Sequence, residues 1–291
     1  MIQYSPWDLV LATAWSPDGN LIAAAAGESI YLYSPDLQEL GRLDAGIWTT
    51  SLAFHPQGSW LASGGRDGQI QIWDIQEQRV VMRLAAHKKG VNAVAFSPDG
   101  TLLASGGNDA VARLWDPGTG EKLAEMIGGT YAVPSITFSP DGAELAIING
   151  ELIRIRDVET SRFVHSLRSE GSNYSAAWSP DGNLLAAGNT AGDIFLWELS
   201  TKQPSGTFSS PVATVAGPVS LVWSLDFSPD SALLAASDNR GTIYFWDVAG
   251  KRMLFSHSAN QQGVTSIAFS PDGRYLVTGG LDGTLRLWAS R

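Results

Sequence analysis

His87, Ser105 and Asp109 are the residue types that a hydrolase combines: a hydroxyl to attack, an imidazole to take its proton, and a carboxylate to orient the imidazole. His257, Thr278 and Asp282 repeat the set near the other end of the chain. That chemistry also needs an exposed oxygen and an oxyanion hole, and the sequence around neither set suggests one. The other histidines, His55 and His165, are dispersed, and there is no cysteine. A thiol nucleophile, a disulfide framework and a zinc–thiolate centre are excluded. No catalytic residue, metal site or cofactor is expected.

What positions both sets is a repeat. Ser16-Pro17-Asp18-Gly19 returns at His55, Ser97, Ser139, Ser179, Ser228 and Ser270, so successive starts lie 39, 42, 42, 40, 49 and 42 residues apart. Each copy is a turn former: proline presets φ, aspartate bonds back to the chain, and glycine accepts positive φ. An apolar strand precedes each turn, as in Val91 to Phe96, and a small-residue strand follows, as in Leu102 to Gly106. A tight hairpin turn such as Arg66-Asp67-Gly68 leads to a third strand that alternates, as in Gln69-Ile70-Gln71-Ile72-Trp73. A fourth, more polar strand follows. Four short strands per 42 or so residues, with no helical pattern, predict an all-β chain of seven four-stranded antiparallel propeller blades. The 291 residues are expected to form one domain.

Third strands end in Trp73-Asp74, Trp115-Asp116 and Trp246-Asp247, with degenerate copies at Arg156-Asp157, Trp197-Glu198, Trp288-Ala289 and Tyr33-Ser34. At these residues the chain resembles the WD-repeat (tryptophan–aspartate repeat) β-propeller family over essentially its whole length. The resemblance implies that His87, Ser105, Asp109 and Trp115 form a buried hydrogen-bonded tetrad, as do His257, Thr278, Asp282 and Trp288. Blades three and seven should then be the stiffest, with the others relying on packing, the second having Ala45 where histidine would stand. It also implies ring closure: only Ala289, Ser290 and Arg291 follow the last third strand, so Ile2 to Ser5 should complete the seventh blade.

The family's partner contacts come from residues flanking the start of each first strand and from the residue before the turn aspartate. Carried over, these positions include Trp48, Arg66, Asn108, Tyr174, Trp223 and Asn239, on a face termed the top. Aromatics and arginine dominate binding hot spots, which singles out Trp48, Arg66, Tyr174 and Trp223. The longest repeat carries about seven extra residues near Ser209 to Gly217, again at the top.

With net charge −10, 44 % hydrophobic and 16 % charged residues, the chain is globular and a poor binder of nucleic acid. No apolar run is long enough to span a membrane, and the N-terminus lacks a secretory pattern; a soluble, cytoplasmic protein is expected. The expected function is a non-catalytic scaffold holding a peptide segment or folded protein on the top face. It would be monomeric alone or a subunit of a larger complex. Two alternatives remain open: an acidic bottom face holding a basic segment, and an enzyme using the central channel, where Asp226 is the lone carboxylate.

Overall fold

The computed structural model describes residues 1–3, 9–127, 129–199, 203–209, 221–259 and 262–289. Its architecture grows from the recurring turn. In blade 3 the Ser97 hydroxyl donates to Asp99 Oδ1 at 2.6 Å and accepts the Leu102 N–H at 2.9 Å, while Gly100 N–H donates to Ser97 O. The same lock recurs at Ser16, Ser139, Ser179, Ser228 and Ser270. Each lock satisfies the turn's own polar groups and reverses the chain into an antiparallel neighbour. His55 replaces serine in blade 2: it is buried, its Nδ1 accepts Gln57 N–H, and its Nε2 donates to Gly100 O of the next blade at 3.1 Å.

Seven four-stranded antiparallel sheets result, six of them in simple chain order. Blade 3, for example, runs Val91–Phe96, Leu103–Gly107, Val111–Trp115 and Lys122–Ile127. The first strands line the centre of the ring, each beside its neighbours in sequence, and Val10–Trp15 of blade 1 lies beside Val264–Phe269 of blade 7. The ring is closed by the N-terminus, as expected: Ile2–Gln3 pairs with Thr284–Ala289, Ile2 opposite Leu285 and Gln3 opposite Thr284. Tyr4 and Ser5 lie outside the described residues.

Adjacent blades are joined in two ways. Apolar faces meet in shared clusters, such as Leu196 and Ile194 of blade 5 against Val222, Leu234 and Trp246 of blade 6. Around the channel, serine hydroxyls staple one blade to the next. Ser51 accepts Val94 N–H, Ser224 accepts Ile267 N–H, and Ser266 accepts Thr13 N–H across the closure. Among the described residues, no helix is long and apolar enough to cross a membrane.

Candidate functional site

The hydrolase-like residues of blade 3 form a buried chain. Asp109 Oδ1 lies 2.7 Å from His87 Nδ1, His87 Nε2 lies 2.9 Å from Ser105 Oγ, and Trp115 Nε1 donates to that oxygen at 2.9 Å. The carboxylate assigns the proton to Nδ1, so Ser105 donates to Nε2 and accepts from the indole. Burial pushes the His87 imidazole below its usual range, and the ring is neutral at pH 7. Burial alone would raise Asp109, but hydrogen bonds from His87 and Arg113 outweigh it and hold the carboxyl low. Ser105 is fully buried and its hydroxyl is engaged at both ends, so the arrangement holds register and attacks nothing.

Blade 7 is built differently from its sequence expectation. Trp288 Nε1 donates to Thr278 Oγ1 at 3.1 Å, but His257 sits exposed on the outer strand Arg252–Ser258, opposite Ile243, and meets Trp288 edge-on at 4.9 Å. Asp282 instead accepts Thr284 N–H and Arg286. The register explains this. Ala86 N–H bonds Gly68 O just before His87, and Ala259 N–H bonds Gly241 O in the same way. The counterpart of His87 is therefore residue 260, outside the described residues. By the same count the second blade's counterpart is Gly46, one residue past Ala45.

Blades 5 and 6 do not rely on packing alone. Where blades 2, 3 and 7 end their second strand in Gly65, Gly107 and Gly280, these blades place Asn189 and Asp238. Asn189 Oδ1 accepts Ala191 and Asp193 N–H, and its Nδ2 donates to Glu170 O at 2.7 Å. Asp238 accepts Arg240 N–H, Thr242 N–H and the Tyr244 hydroxyl. The first N–H of the third strand is thus satisfied in every one of these blades except blade 3 from one of two places. Asp67 and Asp282 reach it from two residues after the glycine, Asn189 and Asp238 from the glycine's own position. Sequence reading missed this, although the shift is visible: Gly-Arg-Asp-Gly-Gln at 65–69 becomes Asn-Thr-Ala-Gly-Asp at 189–193.

The top of the channel opens into a cavity of about 550 Å³. Its wall has a simple origin. Six first strands break register at their second residue, between Val10 and Ala12, Thr49 and Ser51, Val91 and Ala93, Asn173 and Ser175, Val222 and Ser224, and Val264 and Ser266. A bulge leaves one residue unpaired and re-aims its side chain. Those residues are Leu11, Thr50, Asn92, Tyr174, Trp223 and Thr265, and all six line the cavity. Blade 4, whose first strand is the short Ile136–Phe138, contributes Pro134 in their place.

Of the residues singled out from sequence, Arg66, Asn108, Tyr174 and Trp223 share this wall. Tyr174 is 42 % exposed, and desolvation by the surrounding walls pushes its hydroxyl up. Trp48 stands behind the wall: the Arg66 guanidinium lies over its ring at 4.5 Å, and Arg66 N–H donates to Trp48 O. Asn239 is also absent from the wall and accepts Leu221 N–H at 3.2 Å. The Trp223 ring packs against Gly263, whose φ of 109° and missing side chain make room for it. Of the insertion, only the backbone to Ser209 falls within the described residues.

The first strands carry two ionisable side chains, Tyr174 at the mouth and Asp226 below it. Asp226 Oδ2 accepts Phe269 N–H at 2.7 Å, stapling blade 6 to blade 7 as Ser224 does one pleat above, and burial pushes its pKa up to about 7. On the bottom, the serine hydroxyls beside Asp18, Asp99, Asp141, Asp230 and Asp272 hold those carboxyls below the usual range. These charges serve their own turns first.

Residues 47–291 match the family model described as the IFT122 first beta-propeller. The chain belongs to that family of WD-repeat propellers. It is 28 % identical over 286 residues to the anaphase-promoting complex subunit cdc20 of Dictyostelium discoideum, which covers 94 % of this chain and 56 % of that protein. It is 25 % identical over 276 residues to the WD repeat-containing protein slp1 of Schizosaccharomyces pombe, with 92 % and 56 % covered. The small ribosomal subunit protein RACK1 of the same yeast matches at 32 % over 163 residues, 53 % of this chain and 38 % of that one. The chain spans about half the length of cdc20 and slp1.

Proposed function

We propose that this WD-repeat propeller is a single-domain, non-catalytic scaffold of the cytoplasm that holds a protein segment at the top mouth. One observation carries the reading: the fold spends a bulge in six of seven blades to turn a side chain into one shared cavity, and while Thr50, Asn92 and Thr265 also bond the next blade, Leu11, Tyr174 and Trp223 are presented there without such a bond. A rigid rim of this kind reduces the ordering entropy lost when a partner docks. The relatives support the class, since two of them are named as subunits of larger assemblies. An enzyme would need groups converging beside Asp226, and its oxygen is engaged in joining two blades.

The test is capture from native lysate with wild-type chain, a Tyr174→Ala/Trp223→Ala variant and a bottom variant, Glu121→Lys/Glu159→Lys, all checked for folding by circular dichroism. Loss of the same protein with the top variant alone is the expected result. Loss with the bottom variant alone moves the site to the acidic face.

A further inference from the structure

Resting on the top-face reading, we propose that the mouth takes an extended peptide through an acidic side chain, with Arg66 and Asn108 holding the carboxylate and Tyr174 and Trp223 receiving a neighbouring apolar side chain. The chain carries 29 acidic and 19 basic residues, yet the described wall of the mouth contains no carboxylate and one cation, Arg66. An anion approaching this protein meets repulsion over most of its surface and attraction here.

Arg66 is also prepared for the task. Among the described residues no carboxylate pairs with it, as none pairs with Arg42 or Arg83, but Arg66 alone of these lines the mouth. The guanidinium carbon lies over the Trp48 ring at 4.5 Å, a contact that anchors the group through its face, and arginine grips a carboxylate with two bonds through its N–H edges. Asn108 belongs to the next blade's turn and approaches the Arg66 backbone: a side chain added at Gly90 would touch both Asn108 Nδ2 and that backbone. Asn92 Nδ2 donates to Asn108 Oδ1 at 3.0 Å, which orients the Asn108 amide and leaves its Nδ2 hydrogens to donate.

One guanidinium and one amide balance a single charge, so a carboxylate suits the site better than a doubly charged phosphate. The same guanidinium repels a cationic side chain from the aromatic pair. Both donors lie on exposed hairpin turns at the rim, while deeper in the wall Ala93, Ala176 and Leu225 alternate with Ser51, Ser175 and Ser224. A side chain of a segment lying across the mouth reaches the charged donor at the rim; a chain terminus entering end-on would meet neutral hydroxyls.

The test passes a soluble library of random peptides of about ten residues, in free-acid and amidated halves, over the immobilised full chain, and sequences what is retained. The expected binders carry Asp or Glu close to an aromatic or aliphatic residue, in both halves. In fluorescence anisotropy, Glu→Gln in the peptide or Arg66→Gln in the protein should each weaken binding roughly ten- to a hundred-fold, with little further loss when combined. Binders lost with Tyr174→Ala/Trp223→Ala but indifferent to Arg66→Gln overturn the carboxylate inference and leave the top-face reading standing. Basic binders, or binders that need a free C-terminus, also overturn it. No binders at all, or binders indifferent to every mouth variant, remove both.

Discussion

Replacing Asp226 by asparagine separates a structural channel carboxylate from a catalytic one. In the folded chain the Asp226 pKa is about 7, against 3.8 for an unburied aspartate. Between those values the folded state holds the proton and the unfolded state does not. Wild-type stability should therefore fall as pH rises from 3.8 to 7, and this contribution should be flat above that. From pH 5 to pH 7 the loss has a ceiling of about 3 kcal/mol. Asp226 has an edge open to the channel, and water there reduces the effect to about 1–2 kcal/mol. Asparagine keeps an oxygen to accept Phe269 N–H but never ionises.

The assay is urea unfolding of both proteins at pH 5 and pH 8. The advantage of Asp226→Asn over wild type should grow by about 1–2 kcal/mol between the two pH values. His87, whose pKa is lowered, gives wild-type stability the opposite slope below its usual value, but it is present in both proteins and cancels. A difference that does not change with pH, or that shrinks as pH rises, refutes the reasoning.

His87→Ala should cost about 2–4 kcal/mol, because it empties a buried site and leaves the Ser105 hydroxyl without its acceptor, whereas His257→Ala should cost under about 1 kcal/mol; denaturant melts of both compare them. Gly107→Ala puts a methyl into the His87 ring, so its penalty should shrink by about 1 kcal/mol or more in a His87→Ala background, read from a double-mutant cycle. Deleting residues 1–6 uncovers the outer edge of Thr284–Ala289 and should lower the melting temperature by several degrees, about 1–3 kcal/mol of stability, in a thermal scan.

The architecture was legible because it is written as a period. A turn tetrapeptide and a tryptophan–aspartate pair recur at nearly fixed spacing, and each encodes a local reversal that needs no distant information. The first tetrad was legible for the same reason. The second was not: His257 is three positions short of the place that the Ala259–Gly241 bond fixes for a tetrad histidine, and only the hydrogen-bond register reveals it. The turn-locking roles of Asn189 and Asp238 escaped because one N–H can be satisfied from two places along the chain. Residue types matched position by position do not expose that equivalence.

The same distinction explains why the mouth could be located without revealing its ligand. The positions facing the cavity are set by the backbone, through a bulge at the second residue of the first strand and a hairpin turn beside it. Any residue placed there points inward. The Thr50 and Thr265 hydroxyls and the Asn92 amide also donate to a backbone carbonyl of the next blade, so part of this ring joins blades. Leu11, Tyr174 and Trp223 share the position without such a bond, and their apolar and aromatic side chains are not what a blade-joining role selects: the positions that hold the blades together are filled by a few recurring residues, serine in the turns, small residues in the second strands, tryptophan at the end of the third. Recognition is therefore carried by the combination around the rim. In that combination the charged member is an arginine held over a tryptophan ring, in a described wall without a carboxylate.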